Sequence, residues 1–438
     1  MSQQWTSRLG HILAATGSAV GIGAIWKFSY VSATNGGGAF LVVFLLFSFV
    51  IGLAVLLAEN MLGSSTGEVA VNAFKKLLGK HWGWVGFIGI FSSWCIYSFY
   101  SVVGGWTIGY TVMAGTGKLN ITDSSQLTSI FTSFISNPWW PIIAHLAFSG
   151  LTCFVVLSGV QKGLEKSVKV MMPLLFLIMI MLIIVGIRLP GASEGLKLFL
   201  YPDFSSLTGK GVLDALGLAF FSLSIGLGIH ITYSSYLPNN KGISRSSIWV
   251  VILSCLVCVL AGLMIFPALA AAGLKPNAGP GLTFMTMPIY FASLPGGSIL
   301  AVTFFLLLLM AALTSSISLL EHIVAYVQTR FQWLRRKAGL IVTVSIMLMG
   351  IPVSLSFGPL SHITLCGKTI FDILDFITSN VLMPLFGIII CLVFGWSSKV
   401  NVFISDNNMP LWSRQCLRFI WRYVGPLCIG VILVHGLI

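Results

Sequence analysis

Gly17-Ser18-Ala19-Val20-Gly21-Ile22-Gly23 interrupts the first long apolar segment of the chain. Each glycine costs roughly 0.5–1 kcal/mol relative to alanine in a helix interior, and three of them stand within seven residues. The flanks, His11 to Ala15 and Ala24 to Tyr30, read as ordinary membrane helix. A helix broken at mid-membrane frees backbone N–H and C=O groups that lipid cannot satisfy, and such a break persists only where protein, water or a ligand meets it. The other reading is a glycine-rich face for close helix packing. This stretch by itself admits both.

Composition decides the class around it. The 438 residues are 57% hydrophobic and 8% charged, and a span needs about 20 mostly apolar residues. Eleven candidate spans centre near Val20, Val50, Ser98, Ala147, Leu177, Ser224, Leu256, Met310, Met347, Phe386 and Cys428. The pattern predicts an all-α integral membrane protein. The first span has no small-residue cleavage signal and is expected to be retained, and the eleventh is expected to be the last. With the N-terminus inside, the cytoplasmic segments hold Arg8, Lys75, Lys76, Lys80, Lys162, Lys166, Lys169, Lys241, Arg245, Arg330, Arg335, Arg336, Lys337, Lys399, Arg414, Arg418 and Arg422. The outer loops hold only Lys118, Arg188, Lys197, Lys210, Lys275 and Lys368, with Lys27 near the outer end of span one. That asymmetry predicts a cytoplasmic N-terminus and an outside C-terminus. The net charge of +13 then reflects topology and anionic headgroups of the membrane lipid, not nucleic acid. Cys255-x-x-Cys258 has metal-ligand spacing but lies in an apolar helix without a second pair, and reads as packing.

Further along, Glu59 sits near the inner end of span two, where an acid is either paired or solvated. The polar, basic segment after it carries an amphipathic helix around Ala70–Leu78. In span three Ile96 and Tyr100 share a face, and a phenol at mid-depth needs a hydrogen-bond partner. Span six has a second break, Ser222-Leu223-Ser224-Ile225-Gly226-Leu227-Gly228. The two breaks stand five spans apart, so the spans run in opposite directions. This is the trace of an inverted repeat, 1–190 (spans one to five) against 211–398 (spans six to ten), with 411–438 as helix eleven. Such breaks in secondary transporters hold substrate and ions. Span eight carries the hydroxylic patch Ala311-Ala312-Leu313-Thr314-Ser315-Ser316, whose oxygens either bond back to the helix or suit a hard cation. Glu321-His322 and His230 read as satisfied packing groups. No triad, metal cluster or phosphate loop is visible, so no enzymatic activity is expected, and no charged ring suggests a channel.

These residues carry a recognisable pattern. In Trp5–Phe40, Trp106-Thr107, Phe220–Tyr236 and Leu313–Leu319 the chain resembles the neurotransmitter:sodium symporter family, the bacterial LeuT-type amino-acid transporters in particular, and the likeness runs over nearly its whole length. The resemblance implies a five-plus-five inverted repeat with broken helices 1 and 6, and sodium-coupled import of a small-molecule amino acid by alternating access. It places sodium at Gly17, Val20, Ala311, Thr314 and Ser315. It places substrate at Ser18, Ala19, Gly21, Ile22, Gly23, Ile96, Tyr100, Phe221, Ser222, Ser224, Leu227, Ser315 and Leu319, a mostly apolar set implying a neutral, hydrophobic substrate, with Leu227 leaving room for an aromatic one. The outer gate maps to Lys27 with Asp375. The inner gate's ionic partners map to Ser2 and Thr329, neither of them charged, so Trp5, Tyr236 and packing are expected to close that side. The family's first sodium site maps to Ala24 and Ser254, which lack its two amides, and one sodium per cycle is expected. Cys258 stands at the position that balances charge in the family, leaving chloride and proton coupling open. Gly163-x9-Pro173 matches the motif at which span five unwinds. The likeness to bacterial members implies a place in the plasma (bacterial inner) membrane, and a monomer or weak oligomer is expected. The rival reading is an amino-acid-binding membrane sensor without net transport.

Overall fold

The computed structural model describes residues 4–238, 242–273, 281–400 and 410–437. Among them the chain is helical throughout, with only isolated bridges such as Gly37 to Pro202 in place of strands. Among the described residues nine helices are long and apolar enough to cross a membrane, and one bent pair makes a tenth. The pair is α1 (Arg8–Ala19) and α2 (Ile22–Thr34), which meet at 51°. There follow α3 (Gly38–Thr66), the short α4 (Ala70–Leu78), α5 (Lys80–Gly115), the loop helix α6 (Ser124–Ser136), α7 (Trp140–Leu157), α8 (Val160–Ile187) and the loop helix α9 (Ala192–Leu200). Next come α10 (Gly209–Ser222) and α11 (Ile229–Ser235), separated by residues 223–228. The rest are α12 (Ile243–Ala271), α13 (Met287–Ala292), α14 (Gly297–Phe331), α15 (Arg335–Leu355), α16 (Ile370–Trp396) and α17 (Leu411–Leu437). Taking α10 and α11 as one interrupted span gives the eleven expected from sequence. The outer connections expected as loops contain α6, α9 and α13, whose short patterns are too brief to separate from irregular chain.

The broken helices are positioned by their neighbours. The α14 helix lies along α5, and α1 packs on α14, α12 and α8. One apolar cluster gathers around Trp106, Tyr110, Phe284 and Phe305, and a second around Phe28, Phe40, Phe44 and Phe199. Phe154, Leu177 and Leu348 face outward, each more than 60% exposed, as expected of a surface solvated by lipid.

The breaks differ from their sequence reading in extent. Helix α1 runs through Gly17 to Ala19, and only Val20 and Gly21 are non-helical before Ile22 restarts the helix. The second break is wider and more contorted: Ser224, Gly226 and Gly228 take φ of +50°, +83° and +74°. That left-handed region is costly for serine and free for glycine. Two side chains hold it in place. Glu59 of α3, fully buried, accepts from the Gly226 amide at 2.8 Å through Oε1, and His230 Nε2 lies 2.9 Å from the Leu223 carbonyl oxygen. Glu59 is thus a paired acid, and His230 braces the break as well as packing. His322 Nδ1 meets Thr232 Oγ1 at 2.7 Å, tying α14 to α11.

Candidate functional site

A small central cavity of about 50 Å³ lies between the two breaks. Its wall is Ser18, Ala19, Gly21, Gly23 and Ala24 from the first break, Ile96 and Tyr100 from α5, and Phe221, Ser224, Leu227 and Ile229 from the second. Ser315, Ser318 and Leu319 of α14 and Met383 of α16 complete it. The structure therefore brings together nearly all the positions expected to hold substrate. Ile22 takes part through its backbone, donating its amide to the Tyr100 hydroxyl at 3.0 Å. Ser222 is the exception: its hydroxyl turns back to the Ala219 carbonyl at 3.3 Å, away from the cavity wall.

The ends of the half-helices set the polarity. The first N–H groups of α2 and the last carbonyls of α1 lack intrahelical partners, giving partial positive and negative charge on opposite sides of the cavity. With its oxygen accepting from Ile22, the Tyr100 phenol keeps its own proton for an acceptor. A β-carbon at Gly21 would stand 2.7 Å from the Tyr100 hydroxyl and 2.8 Å from Ser315 Oγ. The backbone reaches these groups only because the residue is glycine.

Beside this cavity two hydroxyls of α14 meet carbonyls of the first break and of their own helix. Thr314 Oγ1 lies 3.4 Å from the Val20 carbonyl and 3.0 Å from that of Ala311, while Ser315 Oγ lies 3.4 Å from the Gly17 carbonyl. These are the positions expected to hold sodium. The donors are carbonyls and hydroxyls, with no carboxylate among them, a set suited to a hard monovalent cation. The positions mapped to a first sodium site fare differently. Ala24 presents only a methyl group, and the buried Ser254 hydroxyl has no partner among the described residues. Cys258 is fully buried in α12.

Phe221 and Met383 separate the central cavity from a larger one of about 620 Å³ lined by Lys27, Tyr30, Lys210, Asp214, Asn380 and His435, among others. The two residues expected to form the gate stand apart here. Lys27 and Asp375 make no ion pair in this structure. Lys27 Nζ stands 4.8 Å over the Phe221 ring, and Asp375 Oδ1 accepts from the Ser379 hydroxyl at 2.8 Å. A lysine offers a compact point charge on a flexible stem, so it settles on the nearer ring face.

The opposite side is closed in layers. Trp5 is buried, donates from Nε1 to the Tyr233 carbonyl at 2.7 Å, and packs edge-on against Tyr233. Its amide donates to the Tyr236 carbonyl at 3.1 Å. Below it, fully buried Glu321 is paired with Arg335, and Tyr236 donates its hydroxyl to Glu321 Oε1 at 2.8 Å. Glu165 at the π-helical start of α8 accepts from the Thr6 amide at 2.8 Å and from Ser7 Oγ at 3.0 Å, and pairs with Lys169 at 2.7 Å. Sequence reasoning foresaw Trp5 and Tyr236 but took Glu321 for a packing group. The signal was present: an acid in an apolar helix with a basic cluster fourteen residues on. Ser2 lies outside the described residues, and Thr329 bonds its own helix.

The comparisons with known proteins agree with this architecture. The profile of the Sodium:neurotransmitter symporter family matches residues 2–129 and 125–438. The chain is 41% identical over 437 residues to the sodium-dependent transporter YhdH of Bacillus subtilis, covering 99% of this chain and 97% of the relative. It is 35% identical to a sodium-dependent transporter of Haemophilus influenzae over 99% of this chain and 98% of that one. The structure superposes on that of MhsT in complex with L-phenylalanine with a TM-score of 0.91, at 41% identity, over 99% of both chains. A multi-pass, LeuT-type fold of broken helices around a central site defines a class of sodium-dependent transporters. The chain belongs to the sodium:neurotransmitter symporter family.

Proposed function

We propose that this protein is a symporter that uses one sodium ion per cycle to import a neutral, hydrophobic amino acid by alternating access. The observation that carries the reading is the juxtaposition of the hydroxyl and carbonyl oxygens of Gly17, Val20, Ala311, Thr314 and Ser315 with a cavity whose walls are two helix breaks. In this reading the amide end of α2 and the Tyr100 hydroxyl receive the substrate carboxylate, and the carbonyl ends of α1 and α10 receive its amine. Ile96, Leu227, Ile229, Leu319 and Met383 receive the side chain. The phenylalanine in MhsT supports an apolar substrate. A side chain of that size requires Phe221 and Met383 to yield, since a single water already needs about 10–15 Å³.

The segments 1–190 and 211–398 form the two inverted repeats, with the N-terminus cytoplasmic. Phe221, with Lys27 brought to Asp375, closes the outer side. Release of the Glu321–Arg335 layer and unwinding between Gly163 and Pro173 open the inner one. One charge moving through 100 mV supplies about 2.3 kcal/mol, roughly fifty-fold accumulation. Uptake into proteoliposomes, scanned over amino acids with and without an inward sodium gradient, tests this. Sodium-dependent accumulation with a Hill coefficient near one is expected. A coefficient near two places a second ion at Ala24 and Ser254 despite their side chains. Sodium-dependent binding without uptake replaces the symporter by a sensor.

A further inference from the structure

Four fully buried side chains near the second break each keep a polar atom that has no partner among the described residues. They are Glu59 Oε2 of α3, His11 Nδ1 of α1, His230 Nδ1 of α11 and His322 Nε2 of α14. The bonds made by their other atoms show what is missing. Glu59 Oε1 accepts from the Gly226 amide at 2.8 Å, and nothing donates to Oε2. His230 Nε2 faces the Leu223 carbonyl at 2.9 Å, which can only accept, so the neutral ring carries its proton there and Nδ1 is a bare lone pair. His11 is fixed in the same way. The Ser234 hydroxyl, 3.3 Å from His11 Nε2, gives its single proton to Asn60 Oδ1 at 2.5 Å, so Nε2 is the donor. Asn60 donates onward to Ser247 Oγ at 2.8 Å, and that hydroxyl to the Ile243 carbonyl at 3.0 Å. Every proton along this path is committed while lone pairs stay open.

His230 lies within electrostatic range of both His11 and His322, and Glu59 adjoins the His230 amide. The other ionisable groups of the packed helices are engaged elsewhere or exposed. Cys391 of α16 adjoins Glu59, and Cys255 of α12, with Cys258 beside it, faces α3 at Ser48. Glu321 is paired with Arg335 and faced by Tyr233 and Tyr236, and Arg422 of α17 turns to the Gly395 carbonyl. Arg8, Lys75, Lys76 and Arg245 are exposed. Among the described residues no three acids, thiols or imidazoles converge as metal ligands do. With Glu59 ionised and the imidazoles neutral, the cluster carries a net negative charge. One added proton makes it neutral, and a second makes it positive. A dry interior disfavours either net charge.

We propose that this cluster is a proton-binding site: Glu59 holds one proton on Oε2, among the imidazole lone pairs, while the second break is closed to water, and releases it when α1 and α11 part from α14. The inference rests on the symport reading and adds a proton to the ions that its cycle handles. A solvated carboxyl is ionised at neutral pH, so wetting the cluster empties the site. In that reading sodium and amino acid favour the closed form. Their binding therefore takes up a proton, and by reciprocity a rise in pH weakens it.

The test is calorimetric titration of the purified full-length protein with sodium chloride in the presence of L-phenylalanine, in buffers of differing ionisation heat across the neutral pH range. Uptake approaching one proton per protein is expected, with apparent sodium affinity falling by up to about tenfold per pH unit. Glu59→Gln, which keeps an acceptor for Gly226 and has no titratable proton, should take up none and bind sodium with an affinity independent of pH. Sodium binding without proton uptake, or an uptake that Glu59→Gln leaves unchanged, overturns the proposal. If Glu59→Gln does not bind sodium, infrared difference spectra of the unmodified protein decide instead. Adding sodium and L-phenylalanine should create the carbonyl band of a protonated carboxylic acid, and its absence overturns the proposal. No sodium binding by the unmodified protein, with phenylalanine or any other neutral amino acid, would remove the symport reading and this inference with it.

Discussion

Tyr236, just past the end of α11, and Glu321 of α14 are joined by a 2.8 Å hydrogen bond, and Arg335 of α15 neutralises the same carboxylate. Three elements are therefore fastened at one buried acid, and in the proposed cycle they separate to open this side. Removing one partner of a buried ion pair costs about 3–5 kcal/mol, because the other charge stays behind. Arg335→Ala is expected to open this face. Ala325→Cys, on the wall of the cavity beneath, should then react with a water-soluble thiol reagent at least tenfold faster in a background without exposed Cys366 and Cys416. Glu321→Gln combined with Arg335→Met should react more slowly than either single variant.

The hydroxyls of Thr314 and Ser315 supply two of the five oxygens expected to hold sodium beside the break. Thr314→Ala and Ser315→Ala are each expected to raise the sodium concentration for half-maximal uptake at least tenfold. The double variant should show no sodium dependence. Equilibrium titration with sodium in the absence of substrate checks this separately from turnover.

Gly21 faces Tyr100 and Ser315 at distances that exclude a β-carbon. Gly21→Ala is expected to abolish amino-acid binding and to lower Tm, because Tyr100 or Ser315 must shift to admit the methyl group. Tyr100→Phe, which removes the hydroxyl meeting the Ile22 amide, should weaken binding about tenfold to a hundredfold, in line with a loss of about 1.5–3 kcal/mol for a bond to a charged group. Calorimetric titration measures both.

Glu59 supports the second break through the Gly226 amide. Glu59→Gln keeps an acceptor at that oxygen and should change stability little. Glu59→Ala leaves a buried amide unmatched and should cost about 1–3 kcal/mol, read as a lower Tm in detergent.

Lys27 and Asp375 stand apart here. In a double-mutant cycle with Lys27→Ala and Asp375→Ala, effects on sodium binding without substrate should add within about 0.5 kcal/mol. With substrate present, a coupling of about 0.5–3 kcal/mol is expected as the pair forms.

Much of this was legible in the chain. Glycine spacing at residues 17–23 and 222–228 marks both breaks, because backbone that leaves the helix must leave it where a side chain costs most. The amphipathic α4 matches its predicted bounds, Ala70–Leu78. What was not legible depends on contacts between distant segments. Glu59 and Gly226, or Glu321 and Arg335, become partners only when helices pack. Ser318 shares the face of Thr314 four residues before it, and helical spacing could have found it. The meeting of Lys27 with Phe221 follows from side-chain reach within a cavity, which no periodicity encodes.

The first break has one further consequence. Gly17 and Val20 offer carbonyls to the hydroxyls of Ser315 and Thr314, while Gly21 and Ile22, the next residues along, border the central cavity. In the proposed cycle two ligands share this one short run of backbone, so their binding is expected to be coupled. By reciprocity, whatever factor saturating sodium applies to the dissociation constant of the amino acid, saturating amino acid must apply to that of sodium. On the proposed reading, cargo and driving ion then share a single coupling constant, written into a stretch of seven residues.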